Sequence, residues 1–167
     1  MIWWIGYFAI FGLAVAASCR LVPLEHRQNY QECRSDAVCR LANLLWHSIW
    51  VIAAIQAIVA PGIVFPIWLR ILGAVYFAAG YALQIWAWRV NYHLLPIAVY
   101  VPHAQRATSG PYRHCRHPFY LGVMISATGG ALMLGQWWAL YPLIAYMLLI
   151  FYRIVIEDRI LSKPPSL

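Results

Sequence analysis

Charged side chains are scarce in this sequence: 12 of its 167 residues are lysine or arginine, and only 5 are acidic. Hydrophobic residues make up 63% of the chain, whereas a soluble domain averages about half. Their concentration in long uncharged runs excludes an ordinary soluble domain and indicates an integral membrane protein. The net charge of +7 does not indicate nucleic-acid binding, because the basic residues lie in the connections between lipid-length runs.

Paired cysteines and a signal peptide are also missing. The four cysteines are Cys19, Cys33, Cys39 and Cys115. Because none of them forms a Cys-x-x-Cys pair, the sequence predicts separate thiols and no metal site. A cleavable signal peptide carries positive charge before its apolar stretch, whereas here Arg20 follows the run from Met1 to Cys19. We therefore expect this run to remain as the first membrane span.

Proline and glycine divide the next apolar stretch, Leu41 to Leu69, into two spans. The pair Pro61-Gly62, followed by Pro66, predicts a turn between them. We therefore expect the second span to end near Ala60, and the third to begin near Pro66 and run to Trp88. The polar stretch after the third span contains several prolines, which favours irregular backbone over a continuous helix.

The uncharged run from Pro118 to Tyr152 is 35 residues long. A crossing helix needs about 20 residues, and at the least about 17, so this run holds two short helices with a turn near Gly135-Gln136. Within the run, Gly122, Gly129 and Gly130 are small enough to let helix backbones approach closely in lipid.

The predicted fold class is all-α: a polytopic membrane protein in which residues 1–167 form a single domain. It has about five transmembrane helices, and the last two form a tight hairpin. With five spans, eleven of the twelve basic residues lie on one side, and only Arg70 lies near the other. The positive-inside rule places the basic side in the cytoplasm and the N-terminus outside. The tryptophans expected at the outer interface are Trp3, Trp4, Trp68, Trp137 and Trp138.

Two segments on the predicted cytoplasmic side carry chemistry. The stretch from Ser109 to Gly122 contains Arg113, His114, Arg116 and His117. Cationic groups are costly in hydrocarbon, so this stretch must lie at the interface or face a wet cavity. On the last helix, Arg153 and Glu157 are four residues apart and share one face. This pair either anchors the helix end at the headgroups or belongs to a site whose carboxylate holds a cationic ligand.

These segments resemble the isoprenylcysteine carboxyl methyltransferase family, to which membrane phospholipid methyltransferases are related. The matching residues are Thr108-Ser109-Gly110-Pro111-Tyr112-Arg113, Arg116-His117-Pro118-Phe119-Tyr120-Leu121-Gly122, and Glu157-Asp158 followed by Leu161. With the uncharged hairpin, the resemblance covers roughly residues 70–161. Its ordered Gly-Pro-Tyr-Arg-x-x-Arg-His-Pro-x-Tyr-x-Gly core is far more specific than a lone His-Pro pair.

The resemblance implies a multi-span enzyme that binds S-adenosylmethionine in a pocket facing the cytosol. The residues that would bind this cofactor are Ala104, Gln105, Arg106, Ala107, Tyr112, His117, Pro118, Phe119, Tyr120 and Glu157. The implied catalytic residues are Glu157 and Arg153, and Arg153 would face the substrate, where a guanidinium can hold a carboxylate. No Gly-x-Gly-x-x-Gly follows a predicted strand, which excludes a soluble Rossmann-type methyltransferase.

The implied acceptor is lipophilic, either a small molecule or a prenylated substrate drawn from the membrane lipid. A carboxylate, as in prenylcysteine carboxyl methylation, is already deprotonated and needs no general base. A phospholipid amine or a hydrophobic hydroxyl compound would need one, and His117 or Glu157 would supply it. The short single-domain chain favours a bacterial inner membrane.

Two other functions stay open at this stage. The family pattern continues after Leu161 with a Phe-Gly and tyrosine-containing tail, which residues 162–167 do not contain. A non-catalytic membrane protein that keeps the fold would explain this difference. Alternatively, His47, His93 and His117 lie within or near spans and would be the ligands of a redox or haem protein.

Overall fold

The computed structural model describes residues 2–21, 37–60, 64–91 and 107–161. Its helices are α1 (Ile2–Leu21), α2 (Ala37–Val59), α3 (Ile67–Val90), α4 (Pro118–Leu134) and α5 (Leu140–Leu161). Short 3-10 turns, Gly110–Arg113 and Trp137–Ala139, precede α4 and α5. Within these ranges the only β pairing is an isolated bridge between Val64 and Gln136. The predicted all-α fold class is therefore confirmed.

Three segments of the described helices are long and apolar enough to cross a membrane: Arg40–Val59, Ile67–Val90 and Trp137–Arg159. The segments Trp4–Leu13 and Pro118–Leu134 are apolar but shorter. Large apolar side chains remain exposed along α2, α3 and α5, as expected of helices that face lipid rather than water. The membrane character of the fold is thus clear, while the count of five spans stays a prediction.

The closest helix pair consists of α3 and α4, which run antiparallel along a seam of glycines. Gly80 lies against the backbone of Gly122 and Ser126, and Gly73 lies against the backbone of Gly129 and Met133. In each helix the two seam glycines are seven residues apart, or about two helical turns, so they share one face. Small residues at this spacing let the two backbones touch, as is common in membrane helix pairs. The hairpin glycines Gly122 and Gly129 therefore serve packing against α3.

Aromatic rings join the other helices to this pair. Tyr7 of α1 lies 4.3 Å from Trp50 of α2 and 4.9 Å from Phe77 of α3, measured between ring centroids. Trp50 also covers Gly130 of α4, where a side chain would have no room. Phe77 is fully buried. This cluster brings four helices together at one level of the bundle.

The predicted turn between the last two helices lies at Gly135, whose positive φ of 76° suits a glycine. The side chain of Arg70 packs on this turn, and its Nε donates to the Met133 carbonyl at 3.1 Å. The backbone N–H of Phe65 donates to the Gly135 carbonyl at 2.9 Å. These bonds join the beginning of α3 to the end of α4, because the two helices are antiparallel. The beginning of α4 consequently lies beside the end of α3.

Candidate functional site

The segment that leads into α4 is shaped by Gly110 and two prolines. Gly110 has a φ of 57°, and a Cβ there would meet the Val90 side chain at 2.6 Å, so both its conformation and its space require glycine. Pro111 is buried in the 3-10 turn that follows. Pro118, also buried, opens α4 directly after His117, where its fixed φ suits the first helical turn. This geometry seats the turn on the last residues of α3.

His117 lies between the two carboxylates at the end of α5. Its Nε2 is 3.2 Å from Asp158 Oδ1, and its Nδ1 is 3.7 Å from Glu157 Oε1. The His117 side chain is 11% exposed, compared with 17% for Glu157 and 34% for Asp158. Arg116 also approaches Asp158 at 3.8 Å, but it is 69% exposed, so this ion pair contributes little. The imidazole therefore ties the start of α4 to the end of α5.

Tyr120 lies one turn further along α4 and contacts the same acidic face. Its buried hydroxyl donates a hydrogen bond to the Glu157 carboxylate and accepts one from Arg153. Arg153 is only 4% exposed. A buried cation needs a nearby anion and hydrogen-bond partners to offset its lost hydration, and the Tyr120 hydroxyl is one such partner.

Tyr112, in the 3-10 turn, lies near enough to Glu157 to be influenced by its charge. Burial raises the pKa of its phenol to about 12, and the electrostatic influence of Glu157, followed by that of Cys115, adds to the rise. Tyr112 is consequently a neutral hydrogen-bonding group at physiological pH. Glu157 thus has three neighbours from separate places in the sequence: Tyr112, His117 and Tyr120.

Of the other predicted cofactor residues, some lie in the described part of the chain and some lie outside it. Phe119 packs edge-on against Trp88 of α3, with centroids 6.1 Å apart, and against Tyr120. Ala107 and Pro118 lie in the described part of this segment. The remaining predicted residues, Ala104, Gln105 and Arg106, lie outside the described residues.

The structure gives a contact to Asp158, which the sequence motif contains without a role of its own, and it adds the end of α3 to the site. Asp158 contacts His117 more closely than Glu157 does, although only Glu157 has the four-residue spacing from Arg153 that draws attention in the sequence. No group of three or more histidine, cysteine or acidic side chains suited to a metal occurs among the described residues. His47 is exposed on α2, and His93 lies outside the described ranges.

Comparison with protein-family models shows which family contains this arrangement of residues. Residues 68–164, or 97 of 167, match the phospholipid methyltransferase family. The chain belongs to that family. The match covers α3, the 3-10 turn, α4 and α5, which contain the whole acidic and histidine site. Comparisons with curated proteins and with solved structures give no significant match.

Membership of the phospholipid methyltransferase family makes this chain a membrane methyltransferase. The family is related to the isoprenylcysteine carboxyl methyltransferases, so the resemblance seen in the sequence is confirmed. Phospholipid methyltransferases generally use S-adenosylmethionine, which carries two positive charges and an aromatic base. Carboxylates and aromatic side chains surround the site, and this donor set fits such a ligand.

Proposed function

We propose that this chain transfers a methyl group from S-adenosylmethionine to a lipophilic carboxylate acceptor. The observation that carries the proposal is the Glu157 carboxylate, which is only 17% exposed and has three side chains of the family motif as neighbours. Removing a carboxylate from water costs free energy, and attraction to a bound cation offsets that cost. The sulfonium and ammonium groups of the cofactor are cations of the required kind.

The side chains around Glu157 have separate tasks in this proposal. Bound S-adenosylmethionine would supply a methyl group on a sulfonium, which passes to the acceptor oxygen as the S–CH3 bond breaks, with the neutral thioether as the leaving group. Glu157 attracts the cofactor's positive charge, and Asp158 adds to the attraction from the far side of His117. Tyr112 and Tyr120 orient Glu157 and cover it from water. Because displacement at a sulfonium needs mainly alignment and a dry site, positioning by these groups provides most of the rate.

Arg153 supports a carboxylate as the acceptor. It is a buried cation one helical turn before Glu157, and a planar guanidinium can hold a carboxylate through two parallel hydrogen bonds. A carboxylate from a lipophilic acid, such as a prenylated cysteine, would be drawn toward this charge and requires no general base. A positively charged acceptor would be repelled from the same place.

A phospholipid amine is the second candidate acceptor, and the description of the matching family favours it. An amine must lose a proton to attack the methyl group. Glu157 or His117 would accept that proton, because both border the site. In this case the amine would approach from the acidic side, and Arg153 would hold the lipid phosphate instead.

We place the site at the cytoplasmic face of a bacterial inner membrane, with the N-terminus outside. The exposed basic side chains Arg89, Arg113 and Arg116 lie at this end of the bundle, as the positive-inside rule requires. The exposed indoles of Trp68 and Trp137 lie at the opposite end, near the Gly135 turn, where an interfacial belt is expected. Reporter fusions at both termini test this orientation.

Calorimetry with the demethylated product, S-adenosylhomocysteine, tests the cofactor site. Glu157→Gln keeps the shape but removes the charge, so we expect binding to weaken about tenfold or more, as for the loss of a charge-assisted hydrogen bond. Tyr152→Phe, an exposed position on the same helix, is the matched control and should bind as the unaltered protein does. Normal binding by Glu157→Gln would remove the basis of the proposal, and no binding by the unaltered protein would favour a non-catalytic fold.

A labelled-methyl transfer assay against membrane lipid extracts tests the acceptor. A methyl ester releases labelled methanol in alkali, whereas a methylated amine keeps its label. Alkali-labile product supports the carboxylate, and alkali-stable product supports the phospholipid amine. If the acceptor is a carboxylate, Arg153→Ala should raise KM for the acceptor while S-adenosylhomocysteine binding changes little.

A further inference from the structure

Two hydrogen-bond donors at the end of α3 are buried and lack acceptors. The Nε1 of Trp88 and the Nδ2 of Asn91 are both inaccessible to solvent, and neither has a hydrogen-bond partner in the described parts of the chain. Asn91 as a whole is only 6% exposed. Buried donors almost always find a partner, because leaving one unmade costs stability. Two such donors three residues apart therefore indicate a group that the described part of the chain does not supply.

These two donors adjoin the site already described. Residues three apart on a helix lie on neighbouring positions of one face, and Asn91 directly follows α3, with its backbone N–H bonded to Ala87. The Trp88 ring contacts Phe119 edge-on, and Phe119 in turn contacts Tyr120. The donors therefore lie on the α3 side of the motif, whereas Glu157 and Asp158 lie on its α5 side.

We propose that Trp88 and Asn91 bind an anionic oxygen group, a carboxylate or a phosphate, of a ligand in the methyltransferase site. This inference rests on the proposed function and adds a second pole to it. The acidic pole at Glu157 suits the ligand's cationic part, and the donor pole suits its anionic part. A zwitterionic amino-acid group, or a lipid phosphate next to a reacting headgroup, has this pattern of charges.

The charges nearby favour an anion over a cation at the donor pole. Arg89, in the last turn of α3, and Arg113, in the adjacent 3-10 turn, are exposed cations at this end of the helix. The negative end of the α3 dipole acts in the opposite direction. That effect is confined to the last turn and is small for one helix, while a hydrogen bond to a charged oxygen is strong.

Asn91→Leu and Trp88→Phe remove the donors and keep most of the volume. Because neither donor has a partner among the residues that the structure describes, the unliganded variants should unfold at the same temperature as the unaltered protein or higher. Binding of the anionic group should weaken about tenfold for each variant. Asn91→Asp should weaken it further, because it replaces donors with a negative charge. Trp68→Phe, at the far end of the same helix and exposed, is the control.

Two ligands and two acceptors identify the source of the oxygen. If S-adenosylhomocysteine binding weakens and 5′-methylthioadenosine binding does not, the oxygen belongs to the cofactor's carboxylate, since only the first ligand has one. Alternatively, the variants bind both nucleosides normally but show a raised KM, at unchanged kcat, for phosphatidylethanolamine or a farnesylated cysteine. In that case the oxygen belongs to the acceptor. Either result supports the proposal.

Other results would overturn it. Equal weakening of both nucleosides would place the donors against the adenosine and not against an anion. Unchanged binding and KM in both variants would show that no ligand uses these donors. In either case the unaltered protein still binds S-adenosylhomocysteine, and only this inference fails. If the unaltered protein binds neither nucleoside, the proposed function fails as well.

Discussion

Replacing Gly80 with alanine should force α3 and α4 apart. The added Cβ would meet the Gly122 carbonyl oxygen at 2.7 Å and the Ser126 Cα at 2.8 Å, with the Ser126 nitrogen closer still. Ordinary contact with a Cβ begins at 3.4 Å, so the helices must separate by at least about 0.7 Å (3.4 − 2.7) at this point. All three obstructing atoms belong to backbone, and no change of rotamer can move them away.

The expected cost follows from this rigidity. Overpacking of a tight interface costs about 1–3 kcal/mol, while alanine gains up to about 1 kcal/mol over glycine in a helix. For a chain of this size each kcal/mol shifts Tm by about 2–4 °C. We therefore expect Gly80→Ala to unfold about 2–12 °C below a variant that gains only the alanine propensity.

Gly12→Ala is the matched control, because no described residue lies within 4 Å of a Cβ built at this helical position. Its Tm should stay level or rise, since only the propensity gain applies. Thermal unfolding in detergent, followed by circular dichroism, compares the two variants. Because Gly122 is two residues from Tyr120, Gly80→Ala should also weaken S-adenosylhomocysteine binding. Equal Tm values for Gly80→Ala and Gly12→Ala would refute the close approach of α3 and α4.

The other predictions concern charge around the site. Asp158→Asn should weaken S-adenosylhomocysteine binding in calorimetry, but less than Glu157→Gln does, because Asp158 is twice as exposed (34% against 17%); a larger loss would reverse their proposed ranking. Arg116→Gln, at a side chain 69% exposed, should change binding by less than about threefold. The pKa of Tyr112 is about 12 in the folded protein and about 10 in an unfolded chain, so the folded state holds this proton more tightly. The contribution of Tyr112 to the free energy of unfolding is therefore complete below pH 10 and is lost as pH rises toward 12. Tyr112→Phe should flatten the fall of Tm over this interval, and an unchanged fall would contradict the burial of its hydroxyl.

Much of the fold could be predicted from the chain because lipid imposes simple rules. Helices of about 20 apolar residues and prolines at their boundaries are local features. The predicted ends at Ala60 and Pro66 agree with α2 ending at Val59 and α3 beginning at Ile67, and the predicted turn lies at Gly135. The third helix continues two residues beyond the predicted Trp88, since Arg89 can remain helical at a membrane surface.

The site was partly predictable for a different reason. The motif around His117 is continuous in sequence, so its own members were certain to be close together. That Glu157 lies beside Tyr112, His117 and Tyr120 was expected from the family resemblance alone, and the structure brings these four residues together. Their functional roles remain proposals until the variants are measured.

By itself, the sequence determined the membrane class, the helical fold, the family and the motif, because each depends on composition or on residues near one another in the chain. Only the tertiary structure decided that α4 packs most closely on α3 rather than on its hairpin partner α5. It also decided that His117 lies nearest Asp158, and that Trp88 and Asn91 have buried donors. These features depend on the rotation and depth of one helix against another. Shape fit between backbones sets both, and no periodicity within a single helix encodes them.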